Sequence, residues 1–163
     1  MYIERLNSSH AKEYQLLRLK ALKENPEAFG SSYEEESVMP LAFSEQRLSQ
    51  HESMTFGIFN PNLKGIVTLT FSLRHKMKHN GHIQALYVEK DSRNQGLGKT
   101  LIHHVIEVAK QLQMINLFLM VTSTNSKAIH LYESLGFVKY GTERREIFYE
   151  GRYYDSDLMA LYF

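Results

Sequence analysis

The chain has 163 residues, 43% of them hydrophobic and 23% charged, with no cysteine and a formal net charge of +1. This length suits one domain, residues 1–163, that buries its own core without metal or disulfide support, and the missing cysteine removes disulfides, thiolate metal sites and thiol nucleophiles. The balanced charge gives no global attraction to nucleic acid or to an anionic membrane, and no apolar run approaches the roughly 20 residues of a membrane span. Met1 to Leu6 is short, amphipathic and of mixed charge rather than leader-like, so the expected setting is a reducing cytoplasm.

Tyr2 to Leu6 alternates like a strand, and Ser8-Ser9 precedes a helix on which Tyr14, Leu17, Ala21 and Leu22 recur at helical spacing. Pro26 ends that helix. Residues 26–36 read as a loop with two aromatics, Phe29 and Tyr33, and three consecutive carboxylates, Glu34, Glu35 and Glu36, before a short helix over about 43–50. Thr55 to Phe59 and Ile66 to Leu73 form a hairpin about the Pro, Asn and Gly of residues 60–65. A basic stretch, residues 74–82, leads into the strand Ile83 to Val88. From about Gly96 to Leu112 the apolar residues Leu101, Val105, Val108 and Leu112 mark a half-buried helix, and Ile115 to Thr122 reads as a central strand. Asn125 caps a further helix that Gly136 ends. Phe137 to Gly141 and Glu146 to Tyr162, with a turn at Glu150-Gly151-Arg152, supply two or three more strands. The order βααβββαβαββ predicts an α/β fold with a mixed, mostly antiparallel sheet of about seven strands and helices on both faces.

The turn Arg93-Asn94-Gln95-Gly96-Leu97-Gly98-Lys99-Thr100 carries the chemistry. A glycine-rich passage from strand to helix offers unpaired N–H groups and the positive end of the helix dipole to an anion, which points to a phosphate-bearing ligand. Register separates the candidates. A Walker A loop ending at Gly98-Lys99-Thr100 needs its first glycine where Arg93 stands, and a dinucleotide fingerprint starting at Gly96 meets Leu101 at its third glycine. An NTPase also lacks an acidic residue at the end of the strand Ile115 to Thr122 for magnesium. The pattern [Arg/Gln]-x-x-Gly-x-[Gly/Ala] fits at Arg93, Gly96 and Gly98, and it resembles the pyrophosphate loop of the GNAT superfamily of N-acetyltransferases. Residues 125–137 resemble that family's second motif, N-x-x-A-x-x-x-Y-x-x-x-G-F, through Asn125, Ala128, Tyr132, Gly136 and Phe137. The likeness runs over about residues 53–162.

The resemblance implies acetyl-coenzyme A as cofactor, with no metal. Its pyrophosphate would meet Arg93, Asn94, Gln95, Gly96, Leu97, Gly98, Lys99 and Thr100. Main-chain groups of Leu86, Tyr87 and Val88 would hold pantetheine and polarise the thioester carbonyl, with Asn125 on the pantetheine arm and Lys127 nearby. Tyr132 is the implied general acid for the departing thiolate. Many relatives carry a glutamate base in the strand before the loop; this chain has His82 and Gln84 there, so His82 becomes the candidate base, with Glu34, Glu35 and Glu36 of the acceptor region as alternatives. Phe29, Tyr33, Glu34 and Glu35 border the implied acceptor site, where aromatic and acidic groups suit a cationic amine, either a small molecule or a peptide or protein amine. A cofactor-sensing module without efficient turnover is the alternative, and on either reading the chain is expected as monomer or homodimer. The histidines do not make a metal site: His75, His79 and His82 lie among lysines, and His103 and His104 point about 100° apart on a helix.

Overall fold

Twelve regular elements arise from these patterns: β1 (Tyr2–Arg5), α1 (Ala11–Glu24), α2 (Tyr33–Ser37), α3 (Leu41–Leu48), β2 (Ser53–Phe59), β3 (Leu63–Phe71), β4 (Asn80–Val88), α4 (Leu97–Gln111), β5 (Asn116–Thr122), α5 (Ser126–Ser134), β6 (Val138–Tyr149) and β7 (Arg152–Tyr162). The coordinates are those of a computed structural model. The seven strands form one sheet in the order β1-β2-β3-β4-β5-β7-β6, antiparallel except where β4 meets β5. That parallel pair is bridged by α4, as a crossover between parallel neighbours requires.

Strand alternation sends side chains to both faces, and each face has its own core. On one, Leu101, Ile102, Val105 and Ala109 of α4 pack on Ile58, Val67, Leu69, Ile83, Leu117 and Leu119. On the other, Leu17 and Ala21 of α1 with Leu48 of α3 pack on Phe59, Leu63, Ile66 and Tyr87. Helices therefore cover both faces of the sheet.

One expectation is corrected. Residues 26–36 are not a plain loop, because α2 follows a short 3-10 turn at Pro26–Ala28, so three helices rather than two separate β1 from β2. The cause is a capping box: the Glu35 amide donates to Ser32 Oγ and the Ser32 amide to Glu35 Oε2, both at 3.1 Å. The C-terminal part holds two strands, the smaller of the counts expected, and β6 runs unbroken although its register slips at two places, one around Arg145 at φ 53°.

A defect in β4 matters most. Its pairing with β5 covers only Asn80 to Ile83 against Asn116 to Leu119. Beyond that the strands part, while β4 stays paired with β3 and β5 with β7. On the β3 side, Thr68 faces Gln84 and Ile66 faces Tyr87, so Ala85 and Leu86 together oppose Val67, with Ala85 at φ 55°. This is a β-bulge, which bends its strand and turns main-chain groups out of the ladder. A wedge opens at the C-terminal ends of β4 and β5.

Candidate active site

The wedge continues into a cleft of about 470 Å³ whose far wall is the start of α4. After β4 the chain makes a 3-10 turn at Lys90–Ser92 and then enters α4 through Asn94 at φ 62° and Gly96 at φ 78°. The first amide of the loop to find a helical carbonyl is that of Thr100, which donates to the Gly96 carbonyl at 2.9 Å. The amides of Leu97, Gly98 and Lys99 precede it and are left for a ligand, at the positive end of the dipole of a helix of 15 residues. A Cβ built on Gly98 would lie 3.5 Å from Leu131 Cδ2 and 3.8 Å from Val88 Cγ2, ordinary contact distances. The protein's own packing thus does not demand glycine there; bare backbone facing the cleft fits close approach by an anion such as pyrophosphate.

Most residues expected at a cofactor site line this cleft: Leu86, Tyr87, Val88, Arg93, Asn94, Gly96, Leu97, Gly98, Lys99, Asn125, Lys127 and Tyr132. Gln95 and Thr100 do not. Their side chains turn to the main chain, Thr100 Oγ1 to the Gly96 carbonyl at 3.0 Å and Gln95 Nε2 to the Asp91 carbonyl at 3.5 Å. Asn125 accepts at Oδ1 from the Ala128 amide at 3.2 Å, which caps α5 and leaves its Nδ2 donors free. Tyr132 is 6% exposed, edge-on to Phe137 with ring centroids 5.8 Å apart, and burial pushes its phenol above the usual tyrosine range. It remains a proton carrier at any physiological pH.

His82 lies elsewhere. It sits on the exposed side of β4, outside the cleft wall, with its ring 5.4 Å from that of Phe118. Partial burial lowers its pKa. No carboxylate or histidine lines the cleft, so a side-chain base is not brought to it.

The acidic run expected at the acceptor site divides three ways. Glu34 lines a second cavity of about 390 Å³ together with Phe29, Tyr33 and Lys23 on one side and Glu146, Phe148 and Tyr149 of β6 on the other. Glu35 is turned back into the capping box. Glu36 is buried and bridges Arg18 at 2.9 Å and Arg47 at 2.6 Å, pinning α2 to α1 and α3. Phe29 lines both cavities, and the Arg18 guanidinium lies 5.1 Å from its ring centroid. Thr122 Oγ1 donates to the Glu27 carbonyl at 2.9 Å, tying this segment to the end of β5. Glu150 first, with the more distant Glu34 and Glu27 adding to it, pushes the Tyr149 phenol up, and the cavity wall itself carries two carboxylates, Glu34 and Glu146, against one cation, Lys23.

Sequence reasoning missed Asn25, Ala28 and Ser92, together with Met120, Val121 and Thr122, all of which line the cleft. The signal available for the last three was their place at the C-terminal end of a central strand, next to the splay. Asn25 and Ala28 carried no local signal; only the packing of α1 on β4 brings them there.

Residues 3–158 match the family described as the acetyltransferase (GNAT) domain, and the chain belongs to that family. It is 41% identical over 76 residues to the ribosomal protein bS18-alanine N-acetyltransferase of Escherichia coli K12, a match covering 45% of this chain and 50% of the relative. A spermidine N(1)-acetyltransferase of Vibrio cholerae is 32% identical over 101 residues, covering 61% of this chain and 57% of the relative. The chain spans about half the length of the curated relatives it matches. Among solved structures, the acetyltransferase of the GNAT family from Streptococcus pneumoniae superposes with a TM-score of 0.86 at 26% identity, over 99% of each chain.

Proposed function

We propose that residues 1–163 form one N-acetyltransferase domain that moves the acetyl group of acetyl-coenzyme A to a primary amine, by direct attack with both substrates bound. The observation carrying this reading is the row of unpaired amides at Leu97, Gly98 and Lys99, set at the mouth of a wedge between two parting parallel strands. Arg93, Lys99 and Lys127 add cationic side chains to the same wall, as a pyrophosphate group requires. The loop would hold the pyrophosphate, and the strand end at Leu86, Tyr87 and Val88 the pantetheine arm with Asn125.

Acetyl-coenzyme A supplies a thioester, an acyl group activated for attack by a neutral amine. The bulge at Ala85 and Leu86 frees main-chain donors to polarise an oxygen in the wedge. Tyr132 holds a proton on the cleft wall and serves as the general acid for a departing thiolate. With no carboxylate or histidine in the cleft to take it, the amine's proton goes to solvent before it attacks, and the rate follows the amine's own ionisation. We assign the acceptor to the second cavity, behind Phe29. Its aromatic walls and the two carboxylates Glu34 and Glu146 favour an amine that carries a further positive charge.

A panel of polyamines, amino-acid amides and basic peptides, followed by release of free coenzyme A, tests turnover and acceptor class together. Turnover of cationic amines above neutral ones supports the reading. Absence of a carboxylate or histidine base favours one other reading, a domain that binds the cofactor without efficient turnover; tight coenzyme A binding with no acceptor accepted would select it.

A further inference from the structure

Glu24, the last residue of α1, joins three parts of the site. Its Oε2 accepts from the Tyr87 hydroxyl at 2.7 Å and from Arg93 Nη2 at 3.3 Å. Arg93 in turn donates from Nε to the Val88 carbonyl at 2.9 Å, and its guanidinium lies 5.5 Å from the Tyr87 ring centroid. The fork at the head of the loop is therefore fixed on three sides, by a strand end, a helix end and an aromatic ring. Glu24 itself is not part of the cleft wall, whereas Tyr87, Val88, Arg93 and the next residue, Asn25, are.

Fold stability does not explain this arrangement. The Glu24 and Arg93 side chains are 33% and 38% exposed, a setting in which an ion pair contributes little to folding. A long cationic side chain held in one orientation does matter to a ligand, because the cost of ordering it is removed before binding. Arg93 carries five donors, and only those on Nε and Nη2 are engaged, so the rest of the fork stays available. Burial and the Glu24 carboxylate both raise the Tyr87 phenol, which stays a donor to Glu24 at all working pH.

We propose that Glu24 is a positioning residue for the cofactor loop: its carboxylate clamps the Arg93 guanidinium against the end of β4 and so sets the loop entrance before the pyrophosphate arrives. This rests on the coenzyme A reading above. The test is calorimetric titration of the whole chain with coenzyme A, for wild type, Glu24→Ala, Glu24→Gln, Arg93→Ala and the double variant Glu24→Ala with Arg93→Ala. Glu24→Ala should weaken binding about fivefold, with the melting temperature lowered by no more than the few degrees that loss of the Tyr87 hydroxyl's acceptor accounts for. Glu24→Gln keeps an oxygen that can accept from both partners and should recover most of the loss. In the Arg93→Ala background, removing Glu24 should change Kd by less than about 1.5-fold, because the group it positions is gone. Unaltered or tighter binding in Glu24→Ala, or an equal loss with and without Arg93, overturns the inference while leaving the cofactor reading in place. A wild-type chain that binds no coenzyme A removes both.

Discussion

Gly98 and Gly96 stand two residues apart in the same loop, yet the structure requires opposite outcomes when each becomes alanine. A Cβ at Gly98 meets only Leu131 and Val88 at 3.5 and 3.8 Å, within the first turn of α4. The added methyl fits, and alanine is preferred over glycine in a helix by up to about 1 kcal/mol. In a domain of this size that raises the melting temperature by about 2–4 °C. The same methyl stands where a phosphate must reach the Gly98 amide, and losing one or two charge-assisted hydrogen bonds weakens binding about tenfold to a hundredfold. Coenzyme A at 100 times the wild-type Kd stabilises wild type by about 2.7 kcal/mol, and a Kd tenfold weaker cuts that to about 1.4 kcal/mol. Gly98→Ala should therefore melt above wild type without ligand and show about half the ligand-induced shift or less. Gly96→Ala should melt lower by the equivalent of about 1–2 kcal/mol, because its φ of 78° is costly for any residue with a Cβ although nothing lies within 4 Å of it. Thermal melts of both variants with and without coenzyme A read all four quantities. A full ligand shift in Gly98→Ala would place the phosphates elsewhere, and a lower ligand-free melting temperature would refute the packing argument.

Tyr132→Phe should keep coenzyme A affinity while kcat falls by about 10²–10⁴, the range for loss of a general acid; a kcat within about twofold of wild type removes Tyr132 from the mechanism. The same substitution should alter alkaline unfolding. The folded phenol titrates above the ordinary value near 10, so its stabilising contribution is intact below that pH and is lost as pH rises through the folded pKa. Urea titrations from pH 9 to 11 should accordingly fall less steeply for Tyr132→Phe, and parallel curves would contradict the burial. His82→Ala should leave kcat within about threefold of wild type, and log kcat/KM should rise with pH toward the acceptor's own pKa in both proteins; loss in the variant of an acid limb lying below the ordinary histidine range would restore His82 as the base. Glu36→Ala strands Arg18 and Arg47 beside a buried site and should cost about 3 kcal/mol in denaturant unfolding; a loss below about 1 kcal/mol would mean the arginines find solvent.

What was legible in the sequence was whatever is encoded within one element or one turn. Alternation at β1, turn residues between β2 and β3, an unbroken apolar run at β5 and helical spacing along α1 and α4 made all seven strands and the helices α1, α3, α4 and α5 legible, because burial on one face or two leaves its own pattern in the side chains. The loop at Arg93 to Thr100 was legible because a left-handed turn followed by close approach to backbone needs glycine at fixed places. The fate of Glu34, Glu35 and Glu36 was not. Three adjacent carboxylates look alike in sequence, and what separates them is the 100° step of a helix, which sends Glu35 back to Ser32, Glu36 to two arginines and Glu34 to the second cavity. The capping box Ser32 to Glu35 was present in the letters, but with only five residues in α2 no apolar period supported it. His82 was misleading for a related reason. Its position in the strand was as expected, but His82 lies in the part of β4 still paired with β5, and only after Ile83 do the strands part, so Gln84 and not His82 reaches the cleft wall; where a parallel pair breaks has no local sign in the letters.

That bulge and the glycine turn solve two halves of one problem. A continuous parallel pair would satisfy every main-chain group of β4 and leave nothing for a ligand, while a glycine loop alone would bind phosphate at the surface with no path to the opposite face. By breaking the pairing after Ile83, the sheet keeps β4 on β3 and β5 on β7, so the opening costs the ladder only the contacts between two strand ends. Residues that α1 and the segment after it place on the second side, Asn25, Ala28 and Phe29, then close the wedge from across the sheet. Phe29 is the one lining residue common to both cavities, so on the proposed reading it stands between cofactor and acceptor. Its replacement by alanine would join the two spaces into one, relaxing the choice of acceptor while leaving the amides of Leu97, Gly98 and Lys99, and hence coenzyme A affinity, unchanged. Acceptor profiles measured alongside coenzyme A titrations separate these effects, and an equal loss of both would show that Phe29 supports the fold rather than the passage between the two substrates.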